Sequence, residues 1–528
     1  MEFDIFRSWK NKIEKQYIIC IITGIICGCI THFYMLTHKL PNWDEINNAT
    51  GYGSGFFLGR WFLHIIHPIG GSASVPAIHG FLMIFCLAVA SCLIIKLMGV
   101  KSITGSILIP ALMVTFPSVA CTMTFMFMAH TSAIAIVMIC IAVLLVRKWK
   151  FGCIPACVLL ICSMGIYQSY MSFAIALILM GMILDILRDK TILQVIKQGF
   201  IYVGVLIASV VIYIPICHYY YPAMATEGYG GISEMGKINI VEAPVMIARC
   251  YKRFLEYFIW KPYSFVSPMM QRMNITICIL AVVLFIYLVV KKKLWKDKLR
   301  LVLLIILCGF MPLACAFVYF MAPEAPFSML MLYAYVLIFV LTVGLLECCM
   351  EIWEKRQPKI RRERVFATGI SAITACAVII SCYSSYLVTN RAYLRMEISY
   401  ERVTSYFNRI LTRVEETEGF TNGEPVAILG EFYYKTNPAP VELDAFNSED
   451  LREMSGVALE NGLITSGVRD NFIKTYIGFD MGTTTFDEKD EIMRTDEYEK
   501  MPTYPANGCI QKIHDVWVVK LCDTIPNK

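Results

Sequence analysis

Long apolar runs without formal charge, separated by short basic stretches, fill the first three quarters of the chain. A membrane-crossing helix takes about 20 apolar residues. By that measure the pattern predicts eleven spans, at roughly 16–36, 76–98, 102–118, 125–146, 152–166, 169–187, 198–218, 273–290, 301–321, 327–349 and 366–388. Ser102 to Val146 carries no formal charge and is too long for one span at about 1.5 Å per residue. Pro117 and Thr122–Thr124 predict a turn within it. Phe151 to Leu184 is likewise uncharged, and Gly165-Ile-Tyr-Gln-Ser predicts a break. Beyond the last run, Tyr393, Met396, Tyr400, Val403, Phe407, Ile410 and Val414 recur every three or four residues, which predicts an amphipathic helix over 390–416. Strand-like pieces at Val426–Leu429 and Val516–Leu521 lie among Gly, Pro and Asn turns. The expected fold class is a polytopic α-helical membrane protein of about eleven transmembrane helices with a small C-terminal extracytoplasmic α/β domain. The expected division is 1–388, with outer loops 37–75 and 219–272, and 389–528. Interfacial helices are predicted within both loops, over 52–67 and Val241–Phe258.

Composition narrows the class. The 528 residues are 57% hydrophobic and 17% charged, against about 25% charged in soluble domains. Mean hydropathy is +0.60. A disordered chain, a collagen-like fibre and an ordinary cytosolic enzyme are excluded. Net charge is +6, but from Thr389 onward 15 Lys/Arg face 24 Asp/Glu, a local −9 that leaves +15 for the rest. The basic residues fall in alternate short loops: Arg7–Lys15, Lys96 and Lys101, Arg147–Lys150, Arg188–Lys197, Lys291–Arg300 and Lys355–Arg364. The intervening short loops near 117–125, 167–169 and 321–327 hold none. Such segregation puts the N-terminus in the cytoplasm and the acidic tail outside, and it gives no reason to read nucleic-acid binding. Residues 1–15 are too long and too charged for a cleavable signal, so the first span is expected to anchor the chain. The 21 cysteines lack metal-site spacing. Cys509 and Cys522, the two in the tail, could pair outside the cell. No GxxxxGK[ST] and no GxGxxG in the tail point to a nucleotide.

Candidate chemistry gathers in the first outer loop. Asp44 and Glu45 lie a few residues past the first span, where partial desolvation moves a carboxylate toward the range of a general base. Arg60, beside Trp61, could hold a phosphate at headgroup depth. The bland reading makes the acids solvated loop residues and Arg60 an interface anchor. Tyr167 and Gln168 fall at an outer turn, where polar groups line a cavity or join helices. His64, His67 and His79 share no element with a third ligand, so neither a metal nor a cofactor is expected.

Trp43-Asp44-Glu45, Gly59-Arg60-Trp61, Phe125-Met-Phe-Met-Ala129-His130 and Ile166-Tyr167-Gln168-Ser169-Tyr170, in this order, resemble the GtrII-type glucosyltransferases. These are polytopic enzymes that decorate bacterial O-antigens and related surface glycans. Asn390-Arg-Ala-Tyr393…Tyr400-Glu401-Arg402 and Met501-Pro-Thr-Tyr504-Pro505…Val518-Val519-Lys520-Leu521 resemble that family's tail, so the likeness runs from about residue 40 to the end. Through the family the chain is similar to GT-C membrane glycosyltransferases. The resemblance implies transfer of one sugar, glucose, from a polyprenyl-phosphate carrier in the cell membrane to a polysaccharide or lipid-linked glycan hydroxyl outside the cytoplasm. It makes Asp44 the base, with Glu45 as runner-up. Arg60 is the candidate for the cation that holds the leaving phosphate, and Trp43, Trp61, His130, Tyr167 and Gln168 are the candidates for holding sugar or acceptor. His130 stands where an aspartate is expected in relatives. A donor-synthesising enzyme and a flippase are the partners such a reaction would use. Two alternatives stay open. One is an integral-membrane polysaccharide polymerase or ligase, for which Arg249, Lys252 and Arg253 in the long loop speak. The other is a lipid-glycan flippase or transporter, which the charge-poor span interiors disfavour.

Overall fold

The computed structural model describes residues 14–48, 58–222, 241–260, 263–322, 325–356, 361–430, 451, 453–457 and 466–523. The N-terminal residues before 14, residues 52–57 of the predicted helix over 52–67 and much of loop 219–272 lie outside the described residues; of 58–67 only Leu63–Ile66 is α-helical. The chain divides into two compact units. One comprises 1–39, 50–390 and 453–455; the other comprises 40–49, 391–452 and 456–528. The boundary near 390 is close to the one expected. Two short segments cross it, residues 40–49 into the second unit and 453–455 into the first.

The first unit is helical. Its elements run α1 (Lys15–Thr37), α3 (Leu63–Ile66), α4 (Pro76–Met98), α5 (Ile103–Thr115), α6 (Pro117–Met123), α7 (Met126–Lys148), α8 (Cys153–Met164), α9 (Met171–Leu187), α10 (Ile192–Tyr220), α11 (Ala243–Leu255), α12 (Pro268–Lys291), α13 (Lys298–Cys315), α14 (Val318–Met321) and α15 (Val336–Arg356); α2 (Trp43–Asn47) belongs to the second unit. The chemistry of the ends follows the sequence. Ser102 caps α5 by accepting from Gly105 N–H, and Thr191 and Gln194 form a capping box on α10. Among the described residues nine helices are long and apolar enough to cross a membrane, or ten if α5 and α6, bent by 45° at Phe116-Pro117, count as one. The fifth expected span, 152–166, forms only the 12-residue α8. Gly165 and the extended Tyr167 interrupt the run before a short 3₁₀ turn leads into α9.

Helix α1 packs on α4 and α5, α4 on α7, α7 on α8, α9 on α13, and α12 on α15. One end of this bundle is ionic. Arg147 and Lys190 pair with Asp185, and Arg188 pairs with Glu351 at 2.7 Å while donating to the Met98 carbonyl. Lys292 and Arg300 meet Asp189. Glu347 accepts from the Lys101 and Ser102 amides at 2.7 and 3.0 Å and from the Ser102 hydroxyl at 2.6 Å. Among the described residues the basic loops at 96–101, 147–150, 188–197 and 291–300 therefore meet at one end, which supports the expected parity of the helices.

The predicted last span and the amphipathic helix after it form one element, α16 (Arg361–Glu415), of 55 residues. From residue 391 its residues belong to the second unit. There Val403, Phe407, Ile410 and Val414 are fully buried, as the predicted stripe requires. The sheet of this unit has three strands in the order β1 (Val426–Leu429), β3 (Val516–Lys520), β2 (Ile510–Ile513). β1 runs parallel to β3, with Ile428 beside Val519, and β2 runs antiparallel to it, with Ile513 beside Val516. Besides α2, the described residues of the unit form three short helices, α17 (Ser466–Phe472), α18 (Phe486–Met493) and α19 (Asp496–Lys500). Ala427, Leu429, Ile492, Tyr498, Met501, Ile513, Val516 and Val518 form one core. Cys509 is a buried free thiol, so no bridge joins it to Cys522.

Three cations are buried in the described part of the unit: Arg395, which donates to the Val457 carbonyl at 3.2 Å, Lys520 and Arg469. The Lys520 ammonium donates to the carbonyls of Tyr498, Glu499 and Met501 at 3.0–3.1 Å, where α19 leaves its last acceptors open. Tyr504 N–H donates to the Lys520 carbonyl at 2.8 Å. The two halves of the tail motif thus meet in space. Arg469 is 1% exposed and donates to the carbonyls of Ile428 and Gly430 at the end of β1.

Candidate active site

In the first unit, the segment Leu58–Leu63 is fixed by its neighbours. Gln168 donates from its amide nitrogen to the Leu58 carbonyl and to Tyr213 Oη at 2.8 Å. Tyr213 in turn donates to the Gly59 carbonyl at 3.0 Å. Gly59 has φ of +73°, and a Cβ there would lie 2.4 Å from Tyr213 Oη, so both conformation and space require glycine. Phe62 and Leu63 N–H both donate to the Gly165 carbonyl, at 2.9 and 3.2 Å. A Cβ on Gly165 would come within 2.9 Å of the Trp61 indole. Trp61 stacks on Tyr220, with ring centroids 5.7 Å apart.

The clamp carries Arg60. Its guanidinium carbon lies 4.9 Å from the centroid of the Tyr167 ring, and its Nε is buried with no hydrogen-bond partner among the described residues. The charge therefore sits over an aromatic face instead of against a carboxylate. A planar fork held in this way, with a donor still open, is suited to an incoming phosphate. The structure thus brings Arg60, Trp61, Tyr167 and Gln168 together. The amide nitrogen of Gln168 is committed to the Leu58 carbonyl and to Tyr213.

A second cationic group lies on α11. A cavity of about 510 Å³ is lined by Arg249, Lys252 and Arg253 together with Ala325 and Pro326. Arg253 donates to Glu256 at 3.4 Å and lies 5.6 Å from the centroid of the Tyr319 ring. Tyr263 donates to the same carboxylate at 3.0 Å, and burial, aided by the Glu256 charge, holds its hydroxyl above the usual phenol range. The sequence named these cations without showing that Tyr263 and Tyr319, which follow in later segments, pack around them.

His130 is fully buried and faces two other imidazoles. Ring centroids are 4.7 Å apart for His79–His130, 6.0 Å for His67–His130 and 6.4 Å for His67–His79. His130 Nε2 lies 3.2 Å from the His67 carbonyl. Sequence reading set His67 and His79 aside because they share no element with a third histidine; the third comes from α7. Among the described residues no group of three or more His, Cys, Asp or Glu is arranged to hold a metal ion.

The carboxylates lie on α2, in the second unit. Asn42 caps the helix, accepting from Glu45 N–H at 2.8 Å, and both acids occupy its first turn, where the helix dipole favours negative charge. Asn471 of α17 donates to Asn47 at 2.8 Å. Trp43 and Asp44 are half-buried, while Glu45 is 1% exposed. Tyr476 feels the Glu45 charge, which adds to burial in raising its hydroxyl above the usual range.

The model of the family Glucosyl transferase GtrII matches residues 33–342. The match holds Asp44, Arg60, His130, Tyr167, Gln168 and Arg253, and it ends before α16 and the sheet. No curated protein and no solved structure matches the chain. Because the match covers more than half of the 528 residues, the chain belongs to the GtrII family of glucosyl transferases.

Proposed function

We propose that this chain moves a single glucosyl residue from a polyprenyl-phosphate carrier to a hydroxyl of a surface polysaccharide at the non-cytoplasmic face of the cell membrane, as GT-C enzymes do. The acceptor oxygen attacks the anomeric carbon as the bond to the carrier phosphate breaks. The acceptor proton passes to the Asp44 carboxylate, and the phosphate leaves with the electron pair. Asp44 is preferred to Glu45 because it keeps access to solvent while Glu45 is buried. Arg60 receives the leaving phosphate, where its charge stabilises what develops in the transition state. Trp43, Trp61, Tyr167 and His130 are assigned to holding the sugars. A phosphate is already a fair leaving group, so no step calls for a metal.

The observation that carries this reading is Arg60, placed over Tyr167 by a closed hydrogen-bond clamp with its Nε open. The side of the membrane rests on the basic end of the bundle, which the positive-inside rule puts in the cytoplasm. The test uses the full chain in vesicles with polyprenyl-phosphoglucose and the host's own surface polysaccharide. Glucosylated polymer should form, and Asp44→Asn should abolish it while donor binding persists. Unchanged turnover of Asp44→Asn would remove Asp44 as base.

The cavity beside Arg249, Lys252 and Arg253 favours a second reading, in which a lipid-linked glycan is the acceptor and the chain acts as a polymerase or ligase. A ladder of lengthened products in the same assay would support that reading; single glucosyl branches would support the first.

A further inference from the structure

In the second unit α16 turns a polar face away from its buried stripe, with the half-buried Tyr400 of that stripe at its edge. Tyr400, Thr404, Asn408 and Thr412 make one row at four-residue spacing; Glu401, Ser405, Arg409 and Arg413 make the next. Together with Tyr504 they line a cavity of about 700 Å³, within the range of small-ligand pockets.

Both ends of this groove are aromatic and fixed. At one end Tyr504 packs edge-on against Tyr406 at 5.9 Å, and its N–H is held by the Lys520 carbonyl. Arg413 lies 5.5 Å from the centroid of the Tyr504 ring and donates to the Pro505 carbonyl at 2.6 Å. At the other end Tyr400 meets Phe472 and Tyr476 edge-on, at 5.8 and 6.2 Å. The segment that supplies these rings also holds α2, the helix of Asp44, through Asn471 and Asn47. The groove therefore ends against an aromatic cluster that is linked to α2, within one unit.

The lining chemistry selects the ligand. Between the tyrosines stand hydroxyls, an amide, a carboxylate and guanidinium groups, so donors and acceptors alternate. The mixed charge is poorly suited to a phosphate, and the lack of an aliphatic floor is poorly suited to an acyl chain. A neutral polyhydroxylated chain satisfies both features, because its hydroxyls reach planar polar groups and its ring faces lie against aromatic rings. We infer that the groove formed by the polar face of α16 and Tyr504 binds the acceptor as a run of saccharide units and leads it toward α2. This rests on the glucosyl-transfer reading and adds where the acceptor is recognised.

Asn408 and Arg409 are exposed, so their replacement spares the fold. The full-length protein in nanodiscs is assayed with polyprenyl-phosphoglucose and with the host's surface polysaccharide, freed of lipid by mild acid. Asn408→Ala/Arg409→Ala should raise the acceptor KM about tenfold, the loss of one or two net hydrogen bonds, and leave the donor KM within about twofold. Tyr504→Ala should act in the same direction, and Tyr504→Phe should restore most of the affinity. Normal transfer by the parent with an unchanged acceptor KM in the double variant overturns the groove and leaves the transferase reading standing. If the parent forms no glucoside, direct binding of the polysaccharide still decides: loss of binding in the variants sustains the groove, and equal binding overturns it. Loss of self-association in the variant, with glycan binding intact, would assign the face to a second copy and also overturn it.

Discussion

At the residue scale, neighbouring positions of like chemistry differ in what surrounds them. Asp44 and Glu45 are indistinguishable as a pair of acids in sequence; their environments separate them, one half-buried and one enclosed. Asp44→Asn should lower kcat by about 10²–10⁴, the usual worth of a general base. Glu45→Gln should act mainly on thermal stability, read as a melting shift in detergent with under tenfold loss of rate. Arg60→Ala should raise the donor KM by about 10–100-fold, in line with one charge-assisted contact. Arg60→Lys should recover only part of this, because an ammonium lacks the planar fork. Isothermal titration with polyprenyl phosphate measures both. Gly59→Ala should cost about 1–3 kcal/mol through its positive φ and the collision with Tyr213. The isolation of Arg60 as a cation among aromatics was legible in the sequence. The role of Gln168 was not, because its partners Leu58 and Tyr213 are 110 and 45 positions away.

At the scale of elements, apolar run length gave nearly every helix, because a helix in lipid must satisfy its own backbone and so announces itself by composition. The short α8 and the fusion of the last span with the helix beyond it were not legible. Helix propensity continues through Thr389-Asn390, where hydropathy falls without any breaker. β1 and β3 were visible as runs of Val, Ile and Leu, whereas β2 reads Ile-Gln-Lys-Ile and exposes its middle residues. Lys520→Met should destabilise the C-terminal unit by roughly 2–4 kcal/mol, since it leaves backbone acceptors of α19 unpaired in a buried place. Hydrogen exchange over 498–520 in the full-length protein reads this. The same sheet should also soften in acid. The Lys512 ammonium, then the Trp517 indole and the Thr421 amide, hold the Glu424 carboxyl down to about 2. Its folded value lies below the unfolded one, so its contribution is complete above the ordinary carboxylate range. It is lost as pH falls toward about 2. Protection of β3 amides should fall as pH drops from about 4.5 to about 2, and Glu424→Gln should remove that dependence.

At the scale of the whole molecule, the alternation of basic loops was the most informative signal, and the salt links among those loops support it. Single cysteines at Asn47 and at Lys355, in an otherwise cysteine-free chain, should react with a membrane-impermeant maleimide from opposite sides, Asn47 from outside. Labelling of both from the same side would reject the orientation. The pattern carried less about which segments share a unit. Nothing in 40–49 advertises that it folds with residues 471–476, since Asn47 and Asn471 are ordinary loop residues until they meet.

The ionic end also has a schedule. Lys101, Ser102 and Arg188 emerge from the ribosome long before Glu347 and Glu351, the acids that bind them. Until α15 is inserted, the early helices present Arg188 without its carboxylate and open amide donors at that end of the bundle. A nascent chain halted short of residue 347 would carry that unmet charge, a ready mark by which quality control could tell an unfinished bundle from a finished one.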